Sequence, residues 1–311
     1  MKWVFALGAV VVVGLFLFLN AREVVAPSFP VSGNEPEKIS ILFGGDMMFD
    51  RAVRTIGEEK GGDFLFSCVE ELLSEADFVV ANLEGPITDN LSVSVGSIPE
   101  GEGNYTFTFP IGTAELLARH NIWLVSLGNN HIENFGREGV VQTLDYLKKS
   151  NVKFFGDPIS YTSVSTKIND VPLAFISFNE FDTSVTVRES VDRTTEQIKK
   201  TKLFGLIPIV YTHWGDEYVE PPQRVREWAH AFVDAGAEIV IGSHPHVVQE
   251  HELYKEKHIY YSLGNFIFDQ YWEEAVRNGL LLDVRFSKKG VSSIKEIPTY
   301  LSSDRIPCPL N

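Results

Sequence analysis

A surplus of positive charge is what this sequence most plainly lacks. It has 27 lysines and arginines against 42 aspartates and glutamates, a formal net charge of −15. That excludes a non-specific nucleic-acid binder, which needs a basic surface. It also means that an anionic substrate is repelled at long range. A phosphate or polyanion would then need a local positive centre, such as a metal. Cysteine is scarce as well: Cys68 and Cys308 are the only two, too few for a disulfide scaffold or a thiolate zinc site. Cys68 lies in an apolar stretch and reads as an unpaired buried thiol, with Cys308, between two prolines, incidental. A single bridge stays open in an oxidising compartment. No internal repeat is present.

What is present has ordinary globular proportions, 44% hydrophobic and 22% charged, so disorder is not the default. The length of 311 residues suits one large domain or two small ones. Residues Trp3 to Leu19 are apolar throughout, between Lys2 and Arg22. At ~1.5 Å per residue such a helix reaches roughly 25 Å, a little short of the ~30 Å hydrocarbon core. The run exceeds the ~7–15 residues of a cleaved signal peptide, and no clear small-x-small cleavage site follows it. An uncleaved anchor over residues 1–21 is therefore expected, with the rest on the extracytoplasmic side of the cell membrane. Pro27, Pro30, Gly33 and Pro36 make residues 22–38 a linker. The folded domain is expected over 39–311.

From Ile39 onward short apolar runs alternate with amphipathic stretches. Strands are expected at Ile39–Phe43, Phe78–Ala81, Ile122–Leu127, Leu173–Phe178, Leu206–Thr212, Glu238–Ile241 and Ile259–Ser262. Helices are expected at Phe64–Ala76, Thr113–His120, Arg137–Ser150 and Pro222–Ala235. Helices between strands imply an α/β fold with a largely parallel sheet. Ile87 to Pro110, rich in Gly, Ser, Asn and Pro, reads as a long surface excursion. Val284 to Ile297 reads as antiparallel strand.

Polar clusters follow the expected strands: Gly44-Gly45-Asp46, Asn82-Leu83-Glu84, Gly128-Asn129-Asn130-His131, Thr212-His213-Trp214 and Gly242-Ser243-His244-Pro245-His246. Open α/β sheets place their sites beyond the carboxyl ends of the strands. Carboxylates, an asparagine and histidines meeting there make a site for Mn, Zn or Fe, one ion or two. The glycines let backbone come close. An isolated Asp after a strand is more often a turn residue, and an isolated His more often structural; the repeated position outweighs that reading. His120, His230, His251 and His258 are read as structural.

Six segments, GDMM (45–48), NLEGP (82–86), GNNH (128–131), THWGDEY (212–218), GSHPHVVQ (242–249) and YSLGNFIFDQ (261–270), together resemble the CapA family of poly-γ-glutamate capsule synthesis proteins. The resemblance covers roughly Ile39 to Leu282. It implies a metallophosphoesterase-like four-layer αββα sandwich. It also implies a bacterial envelope role in making or exporting an anionic polymer such as poly-γ-glutamate, with membrane synthase or export subunits as partners. By the same resemblance Asp46, Glu84, Asn130, His213, His244 and His246 match metal-ligand positions. His131 matches a histidine that contacts the scissile phosphate, donating a proton to the leaving group or bonding the developing charge. Arg137, Trp214 and Asn265 are the candidate substrate contacts. The superfamily's Asp-x-His is here Asp46-Met47-Met48, and Glu84 stands where Asp is usual, which puts the second metal in doubt. A non-catalytic polymer-binding or scaffolding subunit is the alternative reading.

Overall fold

The computed structural model describes residues 38–98, 101, 103–159 and 163–310. The expected anchor and nearly all of the linker lie outside the described residues. Among the described residues no helix is long and apolar enough to cross a membrane.

The chain runs β1 (Ile39–Met47), α1 (Arg51–Lys60), α2 (Glu70–Glu75), β2 (Phe78–Leu83), α3 (Thr113–Arg119), β3 (Ile122–Ser126), α4 (Gly136–Lys149) and β4 (Lys153–Phe155). It continues through β5 (Ser163–Ile168), β6 (Val171–Asn179), α5 (Val187–Leu203), β7 (Ile207–His213), α6 (Gln223–Ala235) and β8 (Ile239–Ser243). The last part holds β9 (His251–Tyr254), β10 (Lys257–Tyr260), β11 (Asn265–Ile267), α7 (Glu274–Arg277), β12 (Asn278–Ser287), β13 (Gly290–Leu301) and β14 (Pro307–Pro309).

Two sheets result. The first has the order β14-β13-β12-β1-β2-β3-β4, with β11 also paired to β1; the second has β5-β6-β7-β8-β10-β9. β1 to β4 are mutually parallel, as are β6, β7, β8 and β10, while β12 joins β1 antiparallel. Alternation along each strand explains the stacking. Ile41 and Phe43 face the second sheet and share a core with Phe175, Ile209 and Ile241. Their neighbour Leu42 turns the other way and packs with Val53, Leu73, Leu117 and Val140 of α1 to α4. On the second sheet Val210 and Val240 face Ile198, Val225 and Phe232 of α5 and α6. Both faces of each parallel region are thus buried, which is why those strands read as nearly continuous apolar runs.

Several expectations need correction. Phe64–Ala76 is not one helix: a 3-10 turn spans Gly62–Phe66 and α2 begins only at Glu70. Cys68 lies between them and is bonded to Cys308 on β14, so neither thiol is free. Val284–Ile297 is antiparallel strand as expected, though divided between β12 and β13, which turn between Ser287 and Gly290. The excursion is fastened rather than loose. Its ends pair at Ile87 and Phe109, Phe107 and Phe109 are buried, and buried Asp50 accepts from Ser92 Oγ (2.7 Å) and Thr108 N (2.8 Å).

Candidate metal centre

The carboxyl ends of β1, β2, β3, β7 and β8 meet where the two sheets come together. Asp46 sits near the end of β1, Asn82 and Glu84 at the end of β2, Asn129 to His131 after β3, His213 at the end of β7, and His244 and His246 after β8. Close backbone approach makes this possible. A Cβ on Gly45 would lie 1.9 Å from Gly264 O, and one on Gly242 would lie 1.9 Å from Tyr261 O. His244 and His246 have φ of 98° and 58°. These left-handed conformations strain non-glycine residues and are kept mostly where a site needs them. The segment is therefore not extended.

Asp46 and Glu84 are fully buried. Burial raises Asp46 to about 6. Burial first, and the charge of Asp46 second, hold Glu84 well above the usual carboxylate range. Asn82 Nδ2 donates to Asp46 Oδ1 (2.7 Å) and His244 N to Asp46 Oδ2 (3.0 Å). The histidines are all held neutral by burial: His131 falls to about 4, His244 to about 3, and His213 and His246 lie well below their ordinary value. Neutral imidazole is the form that binds metals.

The tautomers follow from the neighbours. Asn265 Nδ2 donates to the carbonyls of Val276 (2.9 Å) and His246 (3.3 Å). Its Oδ1 therefore faces His246 Nδ1 (3.0 Å), which must carry the proton. Likewise Asn134 Oδ1 accepts from Phe107 N (2.7 Å), so His131 Nδ1, at 3.1 Å, is also N–H. Both rings then present Nε2 as a lone pair. His246 Nε2 lies 3.6 Å and His131 Nε2 3.9 Å from Glu84 Oε1. Glu84 Oε1 and His244 Nδ1 are buried with no hydrogen-bond partner. Acceptors gathered without a donor fit a cation.

Two triples bring ligand atoms within reach of one ion: Asp46, Glu84 and His246, and Glu217, His244 and His246. Glu217 is an addition to the expected set. His213 and Asn130 form a separate contact, Nε2 to Oδ1 at 2.9 Å. Asn82 Nδ2, which can only donate, lies 3.2 Å from His213 Nδ1, so that nitrogen accepts and His213 Nε2–H donates to Asn130 Oδ1, while Ser243 Oγ donates to Thr212 O (2.8 Å).

A family model described as bacterial capsule synthesis protein PGA_cap matches residues 40–270. The chain belongs to this family. It is 30% identical over 312 residues to the PGA biosynthesis protein CapA of Bacillus subtilis (strain 168), covering 96% of this chain and 80% of that one. It is 29% identical over 299 residues to the capsule biosynthesis protein CapA of Bacillus anthracis, covering 90% and 71%. Among solved structures, a hypothetical protein from Thermus thermophilus shares the fold at a TM-score of 0.50 and 16% identity, over 84% of this chain and 98% of that one.

Within this family member two expected substrate contacts prove to be structural. Trp214 is fully buried, donates Nε1–H to Tyr261 O (2.9 Å) and stacks on Phe232. Asn265 is buried and all its polar capacity is committed to His246, Val276 and Gln270. Arg137 is exposed on the first turn of α4. Met47 and Met48 are fully buried in the helix-side core. Asn82 and Asn129 are site residues that sequence reasoning missed. Asn129 Nδ2 donates to Asn82 Oδ1 (3.1 Å) and Leu83 O (2.8 Å), fixing Asn82 with its amide donors toward Asp46. Asn–Leu–Glu puts Asn82 and Glu84 on one face of an extended chain, a signal present in the sequence.

Proposed function

We propose that this protein works outside the cytoplasmic membrane in the synthesis or export of a poly-γ-glutamate capsule, through a metallophosphoesterase-like centre that holds Mn, Zn or Fe. The family and its relatives' names support the polymer. The apolar run at residues 3–19 supports the anchor, and the Cys68–Cys308 bridge suits an oxidising compartment. One observation carries the metal reading: the lone pairs of His131 and His246 gather at Glu84 Oε1, a buried atom with no donor.

Asp46, Glu84 and His246 are the first choice of ligands, with His244 and Glu217 beside them. When bound, the cation supplies Lewis acidity and lowers the pKa of a coordinated water. Asn265 orients His246, and Asn82 orients Asp46. His131 offers Nε2 as a proton acceptor at neutral pH, since its Nδ1–H is committed to Asn134. The donor role implied by the resemblance needs this nitrogen to take up a proton first.

Full-length protein in detergent would be tested for bound metal and for turnover of phosphodiester, phosphomonoester and γ-glutamyl substrates. Polymer yield would be followed in a capsule-forming strain carrying His244→Ala or His246→Ala. The expected result is bound metal in the unchanged protein and loss of polymer in both variants. Metal-free protein, with both variants making full polymer, would overturn the reading. Met47 and Met48 favour a second reading, a non-catalytic polymer-binding subunit; polymer bound without turnover would select it.

A further inference from the structure

We propose that Arg51 is the oxyanion-binding residue of this site, its guanidinium receiving a carboxylate or phosphate oxygen of the substrate beside the histidine–carboxylate cluster. The proposal rests on the cluster being a working centre, and it names the chemistry that enters it.

Position is the first support. Arg51 opens α1 just after Asp46-Met47-Met48-Phe49-Asp50, with a left-handed φ of 47°. That conformation is unfavourable for a long side chain and persists where the surroundings enforce it. Here they do. The guanidinium carbon lies 5.0 Å from the Phe107 ring centroid and 5.6 Å from that of Phe268. Phe107 in turn lies 4.3 Å from the His131 ring, and Phe268 lies 4.7 Å from the His246 ring. The cation is thus one aromatic ring away from each imidazole whose Nε2 faces Glu84.

Donor capacity is the second support. A guanidinium carries five N–H groups. Nη2 bonds Asp269 Oδ1, and Nη1 reaches Asn104 Oδ1 only at 3.4 Å. Nε is buried without a hydrogen-bond partner, in a side chain only 12% exposed. A buried charge with donors in reserve, in a planar fork, matches a carboxylate or a phosphate.

Electrostatics is the third. The chain carries a net charge of −15, and Asp46, Glu84 and Glu217 add negative charge at the cluster. An anionic substrate therefore needs a fixed cation close by. Arg51 is a permanent cation that acts on Glu84, His131, His246 and Tyr218. Tyr218 is part-exposed, with its ring 5.8 Å from that of exposed Trp272, so this charge is felt at the accessible rim of the site.

The test uses full-length protein as purified, in detergent, with calorimetric binding of three probes. These are an oligomer of γ-linked glutamate, the same oligomer with its free carboxylates amidated, and inorganic phosphate. The unchanged protein should prefer the acidic oligomer over the amidated one by about tenfold or more, the scale of a charge-assisted hydrogen bond. Arg51→Gln should erase that preference, and Arg51→Lys should retain part of it. Phosphate that competes with the acidic oligomer identifies the phosphate arm of the same subsite; phosphate that does not identifies the carboxylate arm. An unchanged preference in Arg51→Gln overturns the proposal. Should Arg51→Gln fail to fold, Asp269→Asn decides. Freeing the fork from its internal counterion should tighten the acidic oligomer, and an unaltered affinity overturns the proposal. Elemental analysis of each protein keeps the two readings apart. A metal-free unchanged protein defeats the metal centre, whereas metal-replete Arg51→Gln with full preference defeats only the role of Arg51.

Discussion

His246 Nδ1 and Asn265 Oδ1 lie 3.0 Å apart, and backbone carbonyls on the far side of the amide dictate which of the two gives the proton. The amide therefore sets the tautomer of a ring shared by both candidate ligand triples. Asn265→Ala should weaken metal binding by about 10–100-fold, the usual effect of removing a partner that orients a ligand. Titrating metal into chelator-stripped protein measures it. Unchanged affinity would mean that His246 does not ligate.

Proton competition at the centre should come from its carboxylates rather than its histidines. Asp46 titrates near 6 in the metal-free protein and Glu84 well above its ordinary value. His131 and His244 stay neutral down to about 4 and about 3. A metal arriving above pH 6 finds Asp46 ionised; below pH 6 it must displace the proton. Affinity should then fall by about tenfold per pH unit for each protonated carboxylate. Calorimetry at pH 5.5 in buffers of different ionisation enthalpy should show more protons released per metal bound than at pH 8. Equal release at both pH values would refute this.

Much of this architecture is legible in the sequence because burial leaves a strong pattern. β1, β2, β3, β7 and β8 are covered on both faces, and the apolar run of each marks it to within a few residues. α5 leaves no such mark. It buries only Thr194, Ile198 and Thr201, so it carries no broad apolar stripe, although the Thr186–Glu189 capping box marks its start. The cluster is legible because its members follow strands directly. Arg51 and the fastening of the excursion are not, since what ties Asn104 and Phe107 to Arg51 is tertiary contact with no local signature. Trp214 misleads for a related reason. Its place beside His213 suggests the cleft, but alternation along the strand end turns its ring into the helix-side core.

The Cys68–Cys308 bridge spans a sequence separation of 240. It ties the last strand of the first sheet to the turn ahead of α2. Closing so long a loop restricts the unfolded chain heavily, so replacing both cysteines by serine should cost about 2–5 kcal/mol. Urea unfolding of the double variant measures the loss, and reductant should bring the unchanged protein toward the same midpoint. Both sulfurs lie on the α1-to-α4 side of the first sheet, with Cys308 packed against that core. The variant, where folded, should therefore keep its metal. A midpoint indifferent to reductant would show that the bridge does not form in the protein as isolated.

Gly45 offers the sharpest test of how the cluster is assembled. A methyl group there would meet Gly264 O at 1.9 Å, a backbone atom that cannot rotate away. The same carbonyl accepts from Asp46 N at 3.1 Å, so any shift that relieves the clash also moves Asp46. Gly45→Ala should therefore remove metal binding and cost more than about 3 kcal/mol, at the severe end for a single substitution. Gly112 is the control. Nothing lies within 4 Å of its added Cβ, and its φ is −73°, so Gly112→Ala should change stability by no more than about 0.5 kcal/mol. Metal content and urea midpoint distinguish the pair. If Gly45→Ala were stable and metal-replete, β1 and the strand beside it could part without disturbing Asp46, and the centre would not depend on that close backbone contact.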